Sequence, residues 1–345
     1  MKYTTIPQTD IKISKICLGT MTWGNQNSQE EGFEQLDMAL EQGVNFIDTA
    51  ELYPVPATAE TQGRTSTVIG NWLKERKNRD QVVLATKIAG PGDYTAHIST
   101  EGFSPKAIKT AVDKSLKRLQ TDYIDLYQLH WPERHTNRFG IRDYQHRPDD
   151  PWTENFHEVL LTLDEVVKTG KIRHIGISNE SSWGTMRFLE ESKTHQLPRM
   201  RTIQNSYSLL NRTFEGDLAE IAVRENIGLL AYSPLAFGVL SGKYINNTAA
   251  ENSRLKLFPR FSRYSSEQST EATRKYMAIA NEFNISLAQM ALAFVNAQPF
   301  VTANIIGATN LKQLEENILS INHTLSDDVL KAIAEVHAQI PNPAP

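Results

Sequence analysis

The sequence predicts an α/β fold, a parallel (β/α)8 barrel, and three observations carry that prediction. Short apolar runs of strand length recur eight times and alternate with stretches of helix length. Several of these runs end abruptly in polar residues, Asp48, Lys87 and His130 among them, as strands do where they open onto a site. Three stretches exceed ordinary connections, 54–63, 131–151 and 237–263, and each follows a strand. In a barrel all three rise on the carboxyl-terminal face, where sites are built.

Taken in order, 2–6 and 11–16 flank Pro7-Gln8-Thr9-Asp10 and predict an N-terminal β-hairpin ahead of the barrel. Strand 16–18 leads to helix 31–41, strand 44–47 to helix 67–76, and strand 82–86 to helix 104–119. Ser104-Pro105 supplies that last helix with a cap and a first-turn proline. Strand 123–129 precedes helix 156–168, strand 172–177 precedes helix 182–194, and strand 202–203 precedes helix 214–225. Strand 227–232 runs into the third long stretch, 303–306 is the last strand with helix 310–318, and a helix capped by Ser326 covers 326–339. Gly43, Gly170 and Gly228 stand where helices turn into strands. The whole of 1–345 reads as one TIM-barrel domain with long loops on one face.

Composition narrows the partners. With 40% hydrophobic and 22% charged residues, the chain can bury a substantial core. A net charge of -4, from Lys+Arg 36 against Asp+Glu 40, argues against nucleic acid and against an acidic membrane surface. The single cysteine, Cys17, lies in an apolar run, which excludes an internal disulfide and fits a reducing compartment. The amino terminus lacks an apolar signal core, and no run approaches the ~18 apolar residues of a membrane span. A cytoplasmic protein is expected.

The chemistry starts from Tyr53. A free phenol has a pKa of about 10, so its use in proton transfer near neutrality calls for a nearby cation. Lys87 is that cation in this reading, its charge held by Asp48, with His130 as a second polar wall. A lone lysine or histidine at a strand end is more often structural; four polar residues ending three successive strands point to a site. No Gly-x-Gly-x-x-Gly follows any strand, which counts against a Rossmann fold. The segment Gly238-Val239-Leu240-Ser241-Gly242-Lys243 is instead an amide-rich loop with a cation, suited to a pyrophosphate. His130 with His135, or His146 with His157, lack helical ligand spacing with a supporting carboxylate, so no metal is expected.

The segments Gly43 to Tyr53, Ala85-Thr86-Lys87 and Tyr127-Gln128-Leu129-His130-Trp131-Pro132 resemble the catalytic segments of the aldo-keto reductases, and within them the bacterial Tas-type group. The resemblance spans nearly the whole chain. It implies hydride transfer from NADPH to the carbonyl of an aldehyde or ketone, with Tyr53 as general acid, Lys87 and Asp48 tuning it, and His130 orienting the substrate. Trp23, Tyr53, His130 and Trp131 would wall the substrate pocket. It further implies Tyr232 stacked on the nicotinamide, with Ser178, Asn179 and Gln204 on its carboxamide and Thr20, Met21 and Asp48 close by. Ser233, Pro234, Leu235, Gly238, Leu240, Gly242 and Lys243 would cover the diphosphate, with Arg254 reaching further. Gly307, Thr309, Gln313, Glu316 and Asn317 would surround the adenosine. Two positions depart from the family pattern: Thr309 stands where many relatives carry Arg or Lys for the 2'-phosphate, so the expectation of NADPH over NADH rests on Lys243, Arg254, Thr309 and Gln313, and Ser66 replaces a common glutamate, which leaves the catalytic residues untouched. The expected partner is a small-molecule carbonyl substrate, and the expected state is a monomer or weak homo-oligomer. Two other readings stand beside this one. A Schiff-base aldolase on Lys87 is opposed by Asp48, which would keep the lysine charged. A regulatory NADPH-binding subunit, like the potassium-channel β subunits, is opposed by the retained His130 and by the lack of a long leader.

Overall fold

A computed structural model describes residues 1–259 and 261–345. The hairpin forms as expected: β1 (Tyr3–Thr5) pairs antiparallel with β2 (Lys12–Ser14), Tyr3 opposite Ser14. The barrel follows as β3 (Ile16–Gly19), β4 (Phe46–Asp48), β5 (Val83–Ile88), β6 (Ile124–Leu129), β7 (Ile172–Ser178), β8 (Met200–Gln204), β9 (Gly228–Ala231) and β10 (Val301–Ile306). These eight strands are parallel neighbours in chain order, and β10 closes onto β3. Around them lie α1 (Gln29–Glu41), α2 (Arg64–Arg76), α3 (Pro105–Leu119), α4 (Phe156–Lys168), α5 (Ser182–His195), α6 (Leu218–Arg224), α7 (Arg254–Leu257), α8 (Glu267–Glu282), α9 (Leu287–Ala297), α10 (Leu311–Leu319) and α11 (Asp327–Gln339).

Side-chain alternation explains how this barrel carries a site. Ile6, Ile11 and Ile13 of the hairpin pack with Cys17, Phe46, Ala85, Leu126, Leu230 and Ala303 in one apolar cluster. Because strand side chains repeat every second residue, the next residues facing the same way are Asp48 above Phe46, Lys87 above Ala85 and Gln128 above Leu126. The barrel interior is thus apolar below and polar above. Outside the strands, a second cluster packs helices onto the sheet, including Trp72, Ile108, Leu160, Phe188 and Leu292.

Local capping sets several helix starts. Ser28 and Glu31 form a reciprocal capping box on α1, and the Ser104 side chain accepts from Ala107 N ahead of Pro105. Helices α2 and α3 approach so closely that a Cβ on Gly70 would lie 2.1 Å from the Arg118 carbonyl oxygen.

Three expectations are corrected. The helix predicted over 214–225 is a 3-10 turn, Thr213–Glu215, followed by the shorter α6. The region between β9 and β10 holds α8 and α9, which the sequence reading passes over, and part of 237–263 forms α7. Within that stretch, residue 260 lies outside the described residues. Finally, Trp23 is not at the entrance: it is fully buried against Gly32 and Val68, and its indole N–H donates to Gln35. Among the described residues no single helix is long and apolar enough to cross a membrane.

Candidate active site

The polar layer centres on a buried ion pair. Lys87 is wholly enclosed, and its Nζ donates to Asp48 Oδ2 at 2.5 Å and to the Thr49 carbonyl at 2.8 Å. The other carboxylate oxygen, Asp48 Oδ1, accepts from Gln204 Nε2 at 2.9 Å and Gln128 Nε2 at 3.2 Å. Thr20 Oγ1 donates to the Asp48 carbonyl at 2.9 Å, tying β3 to β4. A buried pair is tolerable only when its remaining valences are filled, and these bonds fill the carboxylate's. Tyr53 stands in the loop just beyond, with Lys87 Nζ 5.2 Å from its ring centroid. His130 meets Tyr53 edge-on at 5.8 Å, and Trp131 follows at 4.9 Å from His130. The four residues from three successive strand ends therefore do converge.

Burial, reinforced by the Asp48 carboxylate, pushes the Tyr53 phenol well above its usual range, with Arg254 pulling the other way. The sequence expectation has Lys87 lowering that phenol; in the structure Lys87 is engaged by Asp48 and Thr49, and the net direction is up. Burial, and then the Lys87 ammonium, hold His130 well below its usual range. A phenol that keeps its proton faces a neutral imidazole whose buried Nδ1 has no hydrogen-bond partner.

The residues expected around a nicotinamide also gather here. Tyr232 Oη donates to Asn179 Oδ1 at 2.6 Å, and Asn179 Nδ2 donates to the His130 carbonyl at 2.9 Å and to Ser178 Oγ at 3.1 Å. Ser178 Oγ donates to the Gln204 carbonyl at 2.7 Å. Beyond Tyr232, left-handed backbone at Ser233, Ala236, Phe237, Gly238 and Gly242 coils the chain tightly, with Pro234, Leu235 and Leu240 in the same turn. Lys243 Nζ would be 2.9 Å from a Cβ on Gly238, which its absence permits. Burial and the neighbouring Arg254 lower Lys243; burial lowers Arg254 too. Arg254 lies over the Phe237 ring at 5.1 Å and donates to Met21 Sδ at 3.6 Å. Two half-buried cations side by side, neither in an ion pair among the described residues, suit a dianionic phosphate group.

At the far end, Gln313 Oε1 accepts from Thr309 N and Oγ1 at 3.1 and 3.0 Å, and Asn317 Nδ2 donates to the Gly307 carbonyl at 3.1 Å. Glu316 Oε1 accepts from Ser286 Oγ at 2.6 Å. A Cβ on Gly307 would meet open space, so this edge is unfilled by protein.

Sequence reasoning missed three contributors. Gln128 completes the Asp48 shell, yet a glutamine inside a strand carries no signal of its own. Buried Glu51 accepts from Ala89 N at 2.6 Å and so fastens the Tyr53 loop to the end of β5; burial raises its pKa. Arg134 pairs with buried Glu180 and lies 4.9 Å from the Trp183 ring, holding the start of the 131–151 stretch.

The family profile described as Aldo/keto reductase family matches residues 15–338. Protein tas of Escherichia coli (strain K12) is 48% identical, with 100% of each chain covered. The uncharacterized oxidoreductase YrpG of Bacillus subtilis is 32% identical over 97% of this chain and 96% of its own. Norsolorinic acid reductase B of Aspergillus parasiticus is 28% identical over 96% of this chain and 82% of its own. With the barrel and its polar layer already in place, these matches settle the kinship: the chain belongs to the aldo/keto reductase family, a family of oxidoreductases.

Proposed function

We propose that this protein is an NADPH-dependent reductase of aldehydes or ketones, and one observation carries the reading. The buried Asp48–Lys87 pair sits beside a protonated Tyr53 and a neutral His130 at the carboxyl-terminal mouth of the barrel. When bound, NADPH supplies the hydride. Tyr53 donates its proton to the carbonyl oxygen, and Lys87, with one N–H left beyond Asp48 and Thr49, steadies the phenolate that results. His130, being uncharged, orients the same oxygen without competing for the proton. Trp131 and Tyr53 give the pocket an aromatic wall. Lys243 and Arg254 hold the diphosphate; Thr309 and Gln313 stand at the 2'-phosphate end. That one relative is named a norsolorinic acid reductase supports a reductive role. A net charge of -4 and a single buried cysteine support the reading of a cytoplasmic protein that works on a small molecule, as a monomer or weak oligomer.

The test is a fluorescence titration with NADPH and with NADH, followed by cofactor consumption against aromatic, aliphatic and dicarbonyl substrates. NADPH is expected to bind more tightly than NADH and to be consumed. Arg254→Ala is expected to weaken NADPH by about 1.5–3 kcal/mol, ten-fold or more. Failure of both cofactors to bind would overturn the assignment, and binding without turnover would leave a regulatory role.

A further inference from the structure

His157 lies in the first turn of α4 and His195 is the last residue of α5. Between them stands Glu191. His157 Nδ1 is 2.8 Å and His195 Nε2 is 3.2 Å from the same oxygen, Glu191 Oε1, and the two rings meet at 4.5 Å and 75°. Along the chain His157 has no ligand partner at helical spacing. Its partners come from α5, where Glu191 and His195 are four residues apart on one helix face.

We propose that His157, Glu191 and His195 form a site for a divalent transition-metal ion of the zinc class, on the outside of the barrel and separate from the catalytic residues. Two imidazoles and one carboxylate are a donor set that zinc takes, with a fourth position left for water. Tetrahedral zinc needs donor atoms roughly 3.3 Å apart. The three donors already lie within 4.8 Å of one another, so rotation of side chains alone brings them to range. Both histidine side chains are about half exposed, at 51% and 46%, which gives an ion a route in from solvent. Arg187 lies 3.8 Å from the other oxygen, Glu191 Oε2, and pairs chiefly with Glu154 and Glu190. It orients the carboxylate and leaves Oε1 to the imidazoles. Nitrogen donors select the zinc class over calcium or magnesium, which prefer oxygen. The bound ion would staple the first turn of α4 to the end of α5. Phe156, next to His157, packs against Phe188 and against Trp152, so the staple also steadies the chain leaving the 131–151 stretch.

The experiment is calorimetric titration of the full chain, free of any histidine tag, with zinc chloride, beside thermal melts with zinc, calcium and magnesium. Saturable uptake of one zinc ion per chain is expected, with a raised Tm for zinc alone. His157→Ala and Glu191→Gln should each weaken uptake about ten-fold or more, while His146→Ala, outside the cluster, should not. Absence of saturable uptake overturns the proposal, as does uptake that persists in both cluster variants; the three side chains are then only a hydrogen-bonded group.

Discussion

Lys87 and Asp48 depend on each other because neither can be buried alone. Removing the ammonium in Lys87→Met leaves Asp48 enclosed with only glutamine amides to face it, and should cost about 3–5 kcal/mol in urea unfolding. Lys87→Met with Asp48→Asn should recover much of that loss, since the uncompensated charge is gone; equal instability in single and double variants would contradict the pairing. His130 gives a pH signature. Its folded pKa is depressed, so its contribution to stability is present above its unfolded value of about 6.5 and is lost as pH falls through that value. Unfolding free energies near pH 7.5 and near pH 5.5 should show wild type losing ground to His130→Gln at the lower pH. The convergence of Asp48, Lys87 and His130 was legible in the sequence because each breaks an apolar run at a strand end, with Tyr53 following in the loop after Asp48. Gln128 and Glu51 were not: their roles exist only once β6 faces Asp48 of β4 inside the barrel and the loop after β4 lies against the end of β5.

Elements were legible where a cap or an amphipathic period announced them, as for α1 with Ser28 and Glu31 and for α3 with Ser104 and Pro105. Helix α9 gave no period to read, since Leu287 to Val295 is buried almost throughout and looks apolar on every side. Trp23 misled for a related reason: a tryptophan in a loop after a strand reads as a pocket wall, and only the packing of Gly32 and Val68 shows it to be core. The contact of α2 with α3 turns on one missing side chain. Gly70→Ala would press a methyl into the Arg118 carbonyl and should destabilise by about 1–3 kcal/mol. An unchanged Tm would mean the two helices can part without loss.

At the scale of the whole molecule, the barrel divides labour along its axis. The hairpin fills the amino-terminal end with isoleucines, leaving strand ends at the other to hold charge where water is scarce. Connections on that face then bring Tyr53 beside His130 and Trp131, and carry Arg254 to Met21 and to the Phe237 ring. Parallel order and the eight-strand closure followed from the alternation of runs, whereas the surroundings of Tyr53 depend on how those connections pack and were only partly readable. In the proposed function Tyr53 supplies the proton from a site that is otherwise built for binding. Measuring NADPH consumption and NADPH affinity together in wild type and Tyr53→Phe tests it most directly. Affinity is expected to be unchanged and turnover to fall by about 10²–10⁴-fold; turnover that survives the loss of the hydroxyl would rule Tyr53 out as the proton donor.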